Sequence, residues 1–181
     1  MRACLCAALA ATLLLAGCSR SRPAPERGAP PPPVQPQPLG PVYALAPTFE
    51  ANLGGLPWPA SGTVTGHFGP RTDPDTRTTV ESVGIDVSTA PSAEVIAVYP
   101  GTVERVGAMA AFGAFVMVGH EGWTAVYGNL SAIDVRVGDP LEVGHRIGAA
   151  GTSRERRGAG VFFALFEGAT PVDPLPWLQP R

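Results

Sequence analysis

The chain has 181 residues, 45% of them hydrophobic, enough for one ordinary domain with some unstructured sequence and too few for two full cores. Its formal charge is −2 and its 13 basic residues are all arginine, with no cluster longer than Arg154, Arg156 and Arg157. A broad nucleic-acid-binding face is therefore not expected, and nucleic acid is not a predicted partner.

Arg2 precedes an apolar run over residues 3–16, too short to cross a membrane as a helix and of the length of a secretory signal core. Residues 1–17 are thus expected to be a lipoprotein signal peptide. The run ends in Leu15-Ala16-Gly17-Cys18, which resembles the bacterial lipobox, where the cysteine thiol takes a diacylglycerol and becomes the new N-terminus. Cys4 and Cys6 lie inside the signal, so Cys18 alone would remain and no disulfide could form within the mature chain. Several acyl chains on one terminus give durable membrane attachment. By resemblance to the bacterial sorting rule, Ser19 rather than aspartate after Cys18 favours the outer membrane, with the protein lipid-anchored and facing the periplasm.

Residues 18–55 read as the lipidated cysteine followed by a disordered tether. Nine prolines fall within residues 19–41, which excludes helix and sheet and favours extended polyproline conformations. At about 3.1 Å per residue such a stretch reaches roughly 70 Å, far enough to carry a domain from a membrane surface toward the wall. Residues 42–56 are ambiguous: Tyr43, Leu45 and Phe49 either pack onto the domain or stay apart from it.

Residues 56–181 are the predicted domain. Its apolar stretches are short, β-branched or aromatic, and broken by glycine: 94–99, 102–106, 114–118, 124–127, 135 with 137, 147–149 and 161–166. That pattern predicts an all-β sandwich or barrel of short antiparallel strands with no long amphipathic helix. Pro100-Gly101 and Glu121-Gly122 are turn signals between strand-like runs, so a hairpin-rich fold is expected.

Several local motifs occur in one order. After Trp58-Pro59 come Phe68-Gly69-Pro70-Arg71, Gly84-Ile85-Asp86, Val95-Ile96-Ala97, Gly101-Thr102-Val103, Phe112-Gly113 and Val118-Gly119-His120. Tyr127-Gly128-Asn129-Leu130, Val137-Gly138-Asp139, Val143-Gly144-His145-Arg146-Ile147-Gly148 and Pro171-Val172-Asp173-Pro174 complete the series. Together they resemble the lysostaphin-type, or LytM, domain of cell-wall metallopeptidases, which implies a duplicated hybrid-motif β fold.

The same resemblance implies a zinc site whose ligands this chain has lost. A hydrolytic zinc needs three protein ligands and an open position for water. In active members these are a histidine two residues before the glycine of Gly-Ile-Asp, the aspartate, and the second histidine of a His-x-His pair. Here Asp86 alone remains: Ser82 stands for the first histidine, Gly160 and Phe162 for the pair, and Asn129 for the catalytic histidine of Tyr-x-His-Leu. No catalytic residue, bound metal or cofactor is therefore expected. His67, His120 and His145 lack metal-ligand spacing and read as solvated loop or strand-end histidines. Asp73-Pro74-Asp75 reads as a solvated turn, because it lacks the ligand spacing of a calcium loop. A serine hydrolase is not supported, since no histidine in these motifs is placed to serve Ser82 as base.

The Tyr127-Gly128-Asn129-Leu130 form is similar to non-catalytic EnvC/NlpD-type murein hydrolase activators. That resemblance implies a pseudoenzyme whose old groove binds a helix of a cell-wall amidase and thereby frees the amidase's own site during septum splitting. The expected groove residues are Ser82, Asp86, Tyr127, Asn129, Gly160, Phe162 and Phe166. On a strand, Phe162 and Phe166 share one face, either as a docking floor or as a plug in a decayed site. Phe163-Ala164-Leu165-Phe166 departs from the Phe-Glu-(Ile/Leu)-Arg of the family, so contacts from that carboxylate and arginine must come from elsewhere. The alternatives are a peptidoglycan-binding structural lipoprotein and an active zinc endopeptidase with a different ligand set.

Overall fold

The computed structural model describes residues 43–72, 77–110, 113–153 and 158–181. The signal segment, Cys18, the proline-rich stretch, Asp73-Pro74-Asp75, Phe112 and the Arg154, Arg156, Arg157 group lie outside the described residues.

The strands are β1 (Gly62–Gly66), β2 (Gly69–Thr72), β3 (Thr79–Ser82), β4 (Ile85–Thr89), β5 (Glu94–Ile96) and β6 (Gly101–Met109). They continue as β7 (Gly113–His120), β8 (Trp123–Ile133), β9 (Pro140–Leu141), β10 (Arg146–Ser153), β11 (Gly158–Glu167) and β12 (Thr170–Val172). The main sheet runs β1-β4-β11-β10-β8-β7-β6-β9, with β11 also pairing β8, β12 on β11 and β5 on β10. It curls into a half-barrel in which the strands pair antiparallel, as the alternating, glycine-broken sequence predicts. β2 and β3 form a separate two-stranded sheet.

Alternation along the central strands sorts side chains onto two faces. Val161, Phe163 and Leu165 of β11, with Ala125 and Tyr127 of β8 and Val116 and Val118 of β7, point into the main core. Phe162 and Ala164 of β11 and Val126 of β8 form a second, smaller cluster, against which Val83, Met117 and Phe166 pack. The sheet centre is thus apolar on both faces. The unbroken apolar run 114–118 carries that signal, since a strand buried on both sides loses its polar alternation.

Three local expectations are corrected. Glu121-Gly122, both at positive φ, does close a hairpin, with His120 opposite Trp123. Pro100-Gly101 does not: β5 pairs with β10, and β6 turns away to β7 and β9. Val135 and Val137 do not form a strand; Val135 is buried in an irregular segment and Val137 is exposed.

The third concerns residues 43–55, placed within the 18–55 tether with packing by Tyr43, Leu45 and Phe49 left open: Phe49 and Leu45 pack against the core. Phe49 is buried, stacking on Trp123 at 4.9 Å and on His120 at 5.5 Å, with Tyr99 edge-on at 5.2 Å. Asn52 holds the segment by accepting from the Ala46 N–H and donating to the carbonyls of Ala46 and Thr48. Trp123 Nε1 donates to Glu50 Oε1 at 2.7 Å. The C-terminal segment locks against the same strap, since Leu56 pairs with Leu178 and donates its N–H to the Trp177 carbonyl. His120 is consequently a buried core histidine and not a solvated one.

Candidate functional site

The expected groove residues lie on β3, β4, β8 and β11 and at their junctions. Asp86 on β4 lies directly opposite Phe162 on β11, and Phe162 in turn lies opposite Gly128 on β8. Asp86 is buried, and its Oδ2 accepts a hydrogen bond of 2.7 Å from Nη1 of Arg71. Arg71 projects from the β2–β3 sheet, so this ion pair ties the small sheet to the main one. Its side chain is 45% exposed against 10% for that of Asp86, so solvent screens much of the attraction.

Ser82 closes β3, and its hydroxyl donates to the Gly84 carbonyl at 2.9 Å. A Cβ at Gly84 would sit 2.8 Å from Cζ of Phe162 and 2.4 Å from the Phe163 carbonyl oxygen. Glycine is therefore needed at that position to let the Phe162 ring lie against the turn. Asn129, at φ +58°, adopts a conformation that asparagine tolerates better than most residues. Its Nδ2 donates to the carbonyls of Gly160 at 2.7 Å and Gly151 at 3.3 Å, linking β8 to β10 and β11.

Ser82, Asp86, Asn129, Gly160 and Phe162 thus lie close together, Phe166 sits four residues further along β11, and Tyr127 does not belong with them. Its ring lies on the opposite, core face, fully buried, and its hydroxyl oxygen accepts from the Val98 N–H at 3.0 Å. Burial pushes that hydroxyl above the ordinary phenol range, so it stays neutral. The physical reason is period-two alternation: Val126 and Gly128 face outward, which sends Tyr127 inward.

Phe162 and Phe166 do share a face, but they are not equivalent. Phe162 is 5% exposed, already spent on packing against Val126 and Ala164. Phe166 is half-buried and continues into an open depression of about 350 Å³ lined by Arg105, Met109, Phe115, Met117, Thr124 and Val126. The accessible apolar surface is thus displaced from Phe162 toward β6 and β7. Sequence reasoning missed Met109, Met117 and Arg105, since their grouping depends on cross-strand register.

The model of peptidase family M23 matches residues 81–174, a span that holds Ser82, Asp86, Asn129, Gly160 and Phe162. The chain belongs to peptidase family M23. A curated relative of Pseudomonas aeruginosa named Lipoprotein NlpD/LppB homolog is 32% identical over 134 residues, covering 71% of this chain and 41% of that protein. The chain therefore spans about two-fifths of the length of that relative. A zinc-containing peptidase from Vibrio cholerae superposes with a TM-score of 0.62 at 25% identity, over 69% of this chain and 40% of the other. Helicobacter pylori Csd3 gives 0.59 at 22% identity, over 70% and 35%. A chain of the SpoIIQ–SpoIIIAH pore-forming complex gives 0.60 at 24%, over 70% and 92%, and these last two show the fold alone.

The zinc implied for M23 peptidases does not fit the donors at this place. The phenyl ring of Phe162 has no lone pair to give, Gly160 has no side chain, and the Asn129 amide nitrogen is a donor engaged with two carbonyls. Ser82 offers a neutral hydroxyl, and the Asp86 carboxylate is bound by a guanidinium. Among the described residues no group of three histidine, cysteine, aspartate or glutamate side chains converges.

Proposed function

We propose that this M23 domain is non-catalytic and that its groove face binds and activates a peptidoglycan amidase during cell-wall remodelling and division. The observation that supports this reading is the outer face of β11, where the buried ring of Phe162 leads into the half-exposed apolar surface of Phe166 and Met117. Such a surface suits an amphipathic helix, which hides its own backbone and presents apolar side chains. An activator needs no hydrolytic group: preferring the open amidase to the closed one shifts its population.

Residues 1–17 are read as the signal and Cys18 as the lipidated residue, with the chain held at the outer membrane facing the periplasm. The lipoprotein name of the Pseudomonas relative supports an envelope location. The similarity to a chain of the SpoIIQ–SpoIIIAH complex supports protein binding as a use of this fold.

The test is dye release from labelled sacculi by the full chain, alone and mixed with the source bacterium's periplasmic amidases. Release above that of an amidase alone is expected only in the mixture. Strong retention on sacculi without stimulation of any amidase would replace this reading with peptidoglycan binding, and release by the chain alone would make it an enzyme.

A further inference from the structure

We propose that Arg105 is the charged anchor of the groove face, so that the partner's helix carries a carboxylate side chain opposite it. This rests on the reading that the face binds a wall amidase, and it specifies the chemistry of the bound segment.

The placement of Arg105 follows from a β-bulge. Simple alternation from buried Val103 would send Glu104 outward and Arg105 into the core. The ladder instead sets Val103 opposite Val118 and then Arg105 opposite Met117, leaving Glu104 as the extra residue. Val118 is a core side chain and Met117 packs on the outer cluster, so the bulge turns Arg105 onto the outer face. Arg105 is exposed there, and it is the only charged side chain among the residues lining the depression. It makes no ion pair among the described residues.

The middle of the floor suits a helix better than a strand: β11, β8 and β7 each have hydrogen-bonded neighbours on both sides and offer side chains there with no free backbone edge, whereas β6 pairs with β9 only at Gly101 and Thr102. Adjacent strands lie about 4.8 Å apart, so the floor from β11 to β6 is about 14 Å wide, comparable with a helix of about 10–12 Å diameter. Met109 and Met117 are unbranched and adapt to the side chains of such a helix. A helix lying on this floor strips water from the guanidinium, which is costly unless the helix supplies a carboxylate, and that pair is commonly bidentate.

The test uses the full chain and the amidase it stimulates, reading the chain concentration that gives half-maximal dye release. Arg105→Glu is expected to raise that concentration about tenfold or more, and Arg105→Lys by much less. Reversing the facing carboxylate on the amidase helix to arginine is expected to restore the Arg105→Glu chain. If Arg105→Glu stays within about twofold of the unaltered chain while Phe166→Asp abolishes stimulation, the anchor is wrong and the groove reading stands. If the unaltered chain stimulates no amidase, both fall.

Discussion

The side chain of Asn129 works as a brace between three strands. Asn129→Ala removes both hydrogen bonds and leaves a β-carbon at φ +58°, so a loss of about 2–3 kcal/mol is predicted. Asn129→Gly keeps the backbone relaxed and loses only the bonds, so its urea midpoint is expected to lie between those of the alanine variant and the parent. Arg71 and Asp86 call for a smaller figure, because the guanidinium is nearly half exposed. A double-mutant cycle with Arg71→Ala and Asp86→Asn is predicted to give a coupling of about 1 kcal/mol by urea denaturation. A coupling near zero would show that this contact does not tie the β2–β3 sheet to the main one.

Among the elements, the strap over residues 43–55 and the end of β7 form one aromatic clasp. Phe49→Ala is predicted to cost about 3 kcal/mol and to shift the emission of Trp123, which stacks on Phe49, and of Trp177, which lies tilted against it. His120 gives the clasp a pH dependence. Its Nδ1 lies 2.8 Å from the Pro100 carbonyl oxygen and Nε2 has no hydrogen-bond partner among the described residues; desolvation lowers its pKa below 6.5. The unfolded chain therefore binds a proton at a higher pH than the folded one, so stability is full above about pH 6.5 and falls as the pH drops below it. Urea midpoints at about pH 7.5 and 5.5 are predicted to differ more for the parent than for His120→Gln.

Much of this architecture was legible in the sequence. The unbroken apolar run of β11 is legible as a strand with two apolar faces, and Glu121-Gly122 as the hairpin turn, since both are set by residues adjacent in the chain. The β5–β10 pairing, the burial of His120 under Phe49 and the bulge that turns Arg105 outward depend on partners distant in sequence. No local pattern announces them. Tyr127 was misassigned because a motif names neighbours without saying which side of the sheet each one faces.

At the scale of the molecule, an M23 sheet divides its residues between two faces. One face holds the fold together through Phe163, Leu165 and Tyr127, and the other offers Phe166, Met117 and Arg105 to solvent. This division separates stability from binding: Phe163→Ala is predicted to cost about 3–5 kcal/mol, whereas substitutions at half-exposed Phe166 leave the fold intact. The most direct measurement is therefore dye release by the amidase with the full chain carrying Phe166→Asp, alongside the unaltered chain and a check of thermal unfolding. The account predicts a chain that still unfolds cooperatively with at most a small drop in midpoint, and loss of stimulation. Undiminished stimulation by the Phe166→Asp chain, or release by the unaltered chain in the absence of amidase, would contradict it.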